Sequence, residues 1–594
     1  MIRIRRIELL LGMFLAAVLL AGCQRIPEKS ERASHDWSRG EKLGVAALSN
    51  QVGLATDSAG ENIYLVWIAE RRQPPADVLH WVRLDRAGRT VAEHDLPIAA
   101  DRPAQVKVVL DPRGVLHLTW LARSDGIPCL FYAPLDVSGR LLGAEPRMLS
   151  IPTALVGSYA VGPHPSGGLD VFWSAREGQG AGLHYTRWGE GGQTTVENLS
   201  LGRQGFGPAF RTDSGGAIHL TWQEEPEPGE YHTYYALYDS RARTLAKPVE
   251  IAFFPVSTGL AAYPPVLGLT RDQVYIFWSL ERRGGGLTPP TASSYYVAFP
   301  LGKPEAAGPP RGVNIPETRR ISYERMASSF PVHALGRVAE GSLPSQFLYL
   351  PAATQGQATE LATAFSVQIT SRTQNIVQII LAIWSQGELQ GYQVAGQTRS
   401  ISLRPMVVSD ERNDLHLAWI DTAGFGAYDV YYANTSAEAR AHLNRVTLQD
   451  ALAALLSVAW VLVQSIGFLP IVLAWGFLPL ALLAIYSVMR PEGDLARRGP
   501  RVVLVLAILL YTAFKYLFRP GWLAALPLPE GLPVALATAL IYVAPVVISI
   551  LAGLATWWYS RRRENASLWP ALGLFVGCDV LLTLALYVPG ILAE

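Results

Sequence analysis

Asp111-Pro112-Arg113-Gly114-Val115-Leu116-His117-Leu118-Thr119-Trp120 is the stretch that decides the architecture. Leu116, Leu118 and Trp120 alternate with His117 and Thr119, the period of two of a β-strand whose two faces differ. Ahead of it, the Asp111 carboxylate suits the start of a tight turn, Pro112 presets φ at the second position, and Gly114 tolerates φ > 0. The segment therefore reads as a turn followed by a strand, fed by an earlier strand from Gln105 to Leu110.

The pattern recurs. Equivalent strands end at Trp67, Trp120, Trp173, Trp222, Trp278, Trp384 and Trp419, at spacings of 53, 53, 49, 56, 106 and 35 residues. Asp57 to Gly60 and Asp213 to Gly216 repeat the turn. A second aromatic strand follows most copies, at 79–85, 130–136, 183–188, 233–239, 294–299 and 429–433, and Asp85 to Gly88 and Asp136 to Gly139 form further turns. Two hairpins per repeat make a four-stranded antiparallel blade, and about 40–50 residues is the length of a propeller blade. A lone blade leaves apolar faces and sheet edges open, and radial packing covers them. Residues 44–446 are therefore expected to form an all-β propeller. The tryptophan count favours seven blades, with six to eight compatible. Residues 302–360 read as an insertion or as a degenerate further blade near 331–352.

The alternating strand with its Asp-x-x-Gly turn resembles the sialidase-type, BNR-like β-propellers of exported bacterial proteins. The resemblance spans about 400 residues at the level of fold. For a hydrolase it implies an arginine triad for a substrate carboxylate, a tyrosine nucleophile assisted by a glutamate, and an acid/base aspartate. No local signature selects those residues, and no catalytic, cofactor-binding or metal-ligating residue is assigned. His117, His219 and His416 each lie three residues before a tryptophan, with Tyr64, Asp170, Tyr275 and Leu381 in the same place elsewhere. This mixed set argues for packing rather than metal binding. The tryptophans read as core between blades, and Tyr231, Trp188 and Phe425 are candidate ligand-stacking aromatics.

The two ends differ from this body. Arg3, Arg5 and Arg6 precede an apolar run to Ala21, which reads as a signal peptide over 1–22. Leu20-Ala21-Gly22-Cys23 resembles a bacterial lipobox, which implies lipidation at Cys23, followed by a tether over 23–43. Residues 447–594 read as a membrane domain of four to five helices, with apolar runs at 451–489, 502–518, 533–558 and 568–592 against about 20 residues per span. Arg490, Arg497, Arg498 and Arg501, and again Arg561 to Arg563, mark two loops for one side, the cytoplasmic one. Four crossings satisfy that, with 447–468 at the outer interface or re-entrant and the carboxyl terminus outside, and five crossings are the alternative. Lys515 and Asp579 fall within spans at similar depth and form the candidate intramembrane polar pair.

The chain of 594 residues carries 50 Lys+Arg against 49 Asp+Glu, so charge gives no argument for nucleic acid. Three cysteines exclude a disulfide scaffold. The sequence points to an envelope protein whose membrane-anchored, extracytoplasmic propeller binds, scaffolds or senses. Its expected partners are the lipid bilayer and a glycan or protein at the propeller face, with no cofactor. A sialidase-like glycoside hydrolase is one alternative, and a small transporter or membrane enzyme with a propeller sensor is another.

Overall fold

The computed structural model describes residues 29–593 apart from 32, 73–74, 144, 176–179, 190–191, 194, 200–204, 285–289, 318–322, 339–341, 355–358, 371–374, 425, 449, 452–473, 491–492, 518–533 and 564–565. The signal peptide, Cys23, Phe425 and most of the 447–468 segment lie outside the described residues. Two units are distinguished, 28–445 and 446–594 with 1–27.

The first unit is a β-propeller. Its described strands make seven antiparallel sheets, built on the tryptophan strands Asn62–Arg72, Leu116–Ser124, Leu169–Ala175, Ile218–Glu224, Gln273–Arg282, Asn375–Ser385 and Leu415–Thr422. All seven tryptophans are at most 3% exposed. The sheets meet in a closed circuit. Gly53–Thr56 packs on Ala104–Leu110, which packs on Val156–Pro163, followed by Gly205–Thr212, Val266–Leu269, Leu348–Ala353 and Ser402–Ser409, which returns to Gly53–Thr56. Closure removes the open faces that a single sheet of this size would leave in water.

One sequence expectation is corrected here. Only part of 23–43 is open to a tether role, because from Lys29 the chain packs on the propeller. Glu41–Ala46 pairs antiparallel with Tyr428–Asn434, so an N-terminal strand completes the sheet of Trp419. Trp37 is fully buried and donates from Nε1 to Gln393 Oε1 at 3.1 Å. Asp36 Oδ2 accepts from His333 N at 2.9 Å and Gln393 Nε2 at 3.0 Å. The long interval before Trp384 holds no separate sheet among the described residues. Tyr323–Arg325, Ala334–Gly336 and Leu348–Ala353 all join the sheet of Trp384, which has six strands.

The seam between the last and first sheets is also held by side chains. Arg86 donates from Nε to Glu438 Oε2 at 3.1 Å and from Nη1 to Ala59 O at 3.0 Å, and its Nη2 pairs with Asp414. Glu438 lies on α1 (Ala437–Leu443), which Ser436 caps by accepting from Ala439 N at 3.1 Å.

The second unit contains α2 (Phe477–Met489), α3 (Arg498–Leu517), α4 (Val534–Arg562) and α5 (Leu568–Ala593). Among the described residues three stretches are long and apolar enough to cross a membrane, Arg498–Leu517, Ala539–Arg562 and Leu568–Tyr587. With 13 residues, α2 spans about 20 Å, short of the roughly 30 Å hydrocarbon core. Leu509, Ile550 and Leu581 are each at least half exposed, an arrangement that suits lipid as solvent. The two arginine-rich loops meet, because Leu495 N donates to Ala566 O and Leu568 N to Gly493 O, both at 2.9 Å. They therefore lie on one side of the bundle, as their shared charge leads one to expect.

Candidate functional site

The recurrent histidines belong to a repeated internal unit of the blades. His117 Nε2 lies 3.3 Å from Asp111 Oδ2, and its Nδ1 is 2.9 Å from Tyr132 OH. Asp213, His219 and Tyr235 repeat this at 3.2 and 2.6 Å, and Asp410, His416 and Tyr432 at 3.6 and 2.7 Å. In each case the strand histidine bonds the tyrosine of the second aromatic strand and lies beside the turn aspartate, with a hydrogen bond to that aspartate at His219. The three histidines are nearly fully buried. Burial pushes His117 and His219 below the usual imidazole range, against the pull of their aspartates. Among the described residues no group of three or more His, Cys, Asp or Glu is arranged to hold a metal. Asp111 extends the unit sideways, since its Oδ2 accepts from Gly168 N in the next sheet at 2.9 Å.

One end of the propeller departs from regular pairing. The first strand shifts register beside the tryptophan level between Ala104 and Lys107, Val156 and Ser158, Phe206 and Ala209, and Leu403 and Met406. In the sheet of Trp278 it is split into Leu260–Ala262 and Val266–Leu269. Gln105 and Arg404 adopt φ of 49° and 55°, a left-handed conformation uncommon for such residues. Bulges of this kind re-aim side chains and gather near functional sites.

The polar group at that end was not legible in the sequence. Tyr263, within the strand break, donates to Glu281, which lies just beyond Trp278. Tyr349 packs edge-on to Tyr263 with ring centroids 5.8 Å apart. Burial, followed by the bond to Glu281, raises the Tyr263 hydroxyl well above the usual phenol range, and the Arg404 charge works the other way. Tyr349 is pushed up to about 12 by burial, again opposed by Arg404. The one available signal was Tyr263-Pro264-Pro265, which no regular strand accommodates. Of the aromatics proposed for stacking, Trp188 packs on Tyr132 with centroids 4.6 Å apart and Tyr231 on Phe254 at 5.8 Å, so both serve the protein's own packing.

The two polar residues that the sequence singled out within the apolar helices do meet. Lys515 Nζ on α3 donates to Asp579 Oδ2 at 2.8 Å and Oδ1 at 3.0 Å on α5. Tyr511 OH donates to Oδ2 at 3.0 Å and Ser549 Oγ, on α4, to Oδ1 at 2.8 Å. Lys515 also reaches Thr583 Oγ1 at 3.0 Å and lies 5.7 Å from the Trp475 ring centroid. Both charges are at most 1% exposed, so Lys515 does not snorkel outward.

No family model matches this sequence, and no curated protein matches it. Among solved structures, a PL25 polysaccharide lyase described as an ulvan lyase is similar at 8% identity and a TM-score of 0.41, over 66% of this chain and 96% of that one. The polysaccharide lyase Uly1 is similar at 9% identity and a TM-score of 0.38, over 68% and 99%. An exo-β-1,3-galactanase from Clostridium thermocellum is similar at 11% identity and a TM-score of 0.29, over 66% and 97%. Likeness this weak assigns neither activity nor ligand.

Proposed function

We propose that this chain is a bacterial envelope protein in which a seven-bladed propeller, anchored to the membrane by the C-terminal helices and a lipid on Cys23, displays its irregular end as an extracytoplasmic binding, scaffolding or sensing face. The observation that carries this reading is the repeated loss of register at one end, with Tyr263, Glu281, Tyr349 and Arg404 gathered there. A rigid ring presenting irregular segments is the arrangement that recognition uses. The arginine-rich loops support a cytoplasmic side for 490–501 and 561–563, which sets the propeller on the opposite side after an odd number of crossings.

The test is binding of the full chain in nanodiscs to isolated envelope polysaccharides and envelope proteins. Tyr263→Phe and Arg404→Ala should weaken a ligand at least tenfold, whereas Arg113→Ala, on an Asp-x-x-Gly turn at the other end, should not. Equal effects at the two ends, or no ligand at all, would set the reading aside.

The hydrogen bond from Tyr263 to Glu281 favours one second reading, a sialidase-like hydrolase with Tyr263 as nucleophile and Glu281 as its base. A fluorogenic sialoside left intact by the wild-type chain removes it.

A further inference from the structure

We propose that the central channel of the propeller is an oxyanion site, in which Lys107 and Arg211 hold a carboxylate, phosphate or sulfate group that enters past Arg404. The proposal rests on the reading of the propeller as a binding module and names the ligand chemistry.

The strands that line the hub are chemically one-sided. Gly53–Thr56, Ala104–Leu110, Val156–Pro163, Gly205–Thr212, Val266–Leu269, Leu348–Ala353, Leu361–Thr370 and Ser402–Ser409 contain no Asp or Glu. They contain three cations, Lys107, Arg211 and Arg404. Beside the two inner cations the burial is in the sense needed, since Val106, Val108 and Phe210 are buried while Lys107 and Arg211 stay partly exposed. The cations also sit at graded depths. Lys107 faces Thr119, one residue before Trp120, and Arg211 faces His219, three before Trp222. Two strand residues correspond to about 7 Å along the channel. Arg404 lies in the register break of its own strand.

Neither inner cation is neutralised by a neighbour. Lys107 Nζ donates to Tyr159 O at 2.5 Å, with the Tyr159 ring centroid 4.6 Å away. Arg211 donates from Nη1 to Phe210 O at 2.9 Å and from Nη2 to Ala353 O at 3.2 Å. These partners are carbonyls, and among the described residues no carboxylate forms an ion pair with either side chain. Burial first, and then the charge of Arg211, brings the Lys107 ammonium down to about 8. Two like charges held in one confined space raise the local potential for anions, and a guanidinium with an ammonium is a good match to an oxyanion.

The experiment is calorimetric titration of the full chain in nanodiscs with acetate, inorganic phosphate, a trigalacturonate and a neutral galactose trimer. One-to-one binding of at least one oxyanion is expected, weakened by added NaCl. Lys107→Met and Arg211→Gln should each cut affinity tenfold or more, while Lys107→Arg retains it and melting temperatures of the variants stay near wild type. Preference for trigalacturonate identifies an acidic glycan as the source, and tighter binding of phosphate or acetate identifies a free small anion. No oxyanion binding, or binding untouched by Lys107→Met with the fold intact, overturns the proposal. A neutral ligand that binds and depends on Tyr263 and Arg404 would overturn it too, while leaving the recognition face standing.

Discussion

Lys515 and Asp579 lie 64 residues apart and form a buried ion pair in which Nζ touches both carboxylate oxygens. Asp579 accepts further bonds from Tyr511 on α3 and Ser549 on α4, so one carboxylate ties three helices together. Removing one partner leaves an unpaired charge where desolvation is most costly, typically about 3–5 kcal/mol. Asp579→Ala or Lys515→Met alone should therefore lower the melting temperature of the detergent-solubilised protein sharply. The double variant Lys515→Met/Asp579→Leu should recover most of the loss. If the single and double variants melt alike, the pair is not coupled. An Asp579→Asn chain that still folds also tests the transporter alternative, which predicts lost transport of a labelled solute in proteoliposomes.

Ring closure gives a second prediction. Glu41–Ala46 supplies the outer strand of the sheet of Trp419, and Trp37 fills a site against Gln393. Trp37→Ala empties a fully buried volume and should cost about 3–5 kcal/mol. Chemical denaturation of the propeller should show the loss as an earlier midpoint, and an unchanged midpoint would mean that residues 29–46 add nothing to closure.

The blades were readable because their grammar is local. Trp120, the alternation ahead of it and the Asp111 turn all lie within ten residues, and the packing they imply is what forms. The seventh copy was harder, since its turn runs from Asp410 to Asn413, where Asn413 takes φ of 62° in place of glycine. What stayed hidden depends on distant partners. Glu41–Ala46 has no reason to leave a polar linker until Tyr428–Asn434 offers a sheet edge, and Tyr349 and Arg404, from two other sheets, reach the Tyr263–Glu281 pair of the Trp278 sheet only once the ring has closed. The Lys515–Asp579 pair was visible because any charge in an apolar run stands out, and the 1.5 Å rise then sets how far along its helix each residue lies.

The buried histidines set an acid limit. His117, His184 and His219 are pushed below the imidazole range chiefly by burial, and His164 to about 4 by burial and then the charges of Arg187 and Arg241. A lowered folded-state value means that the unfolded chain binds more protons, so stability is full above about 6.5 and falls as pH drops toward the folded values. Melting temperature should decline between pH 6.5 and 4. His219→Gln should flatten that decline while costing stability at pH 7.5 through lost bonds to Asp213 and Tyr235. A wild-type melting temperature constant across that window would contradict the argument.

Asp170 carries the opposite sign. It occupies the strand position held by histidine in other blades, is fully buried, and accepts from Tyr185 OH at 2.8 Å. Burial, outweighing that bond, raises its carboxyl to about 6. A raised acid favours the folded state at low pH, and this advantage is lost as pH climbs from about 4 to about 6. At pH 7.5 the buried charge therefore works against folding by an amount on the order of 2–3 kcal/mol. Asn fits the same space and keeps an oxygen for Tyr185. Asp170→Asn should accordingly raise the melting temperature at pH 7.5 and raise it much less at pH 4.5. A variant that is destabilised equally at both pH values would show that Asp170 holds its charge in compensated form, by partners stronger than Tyr185.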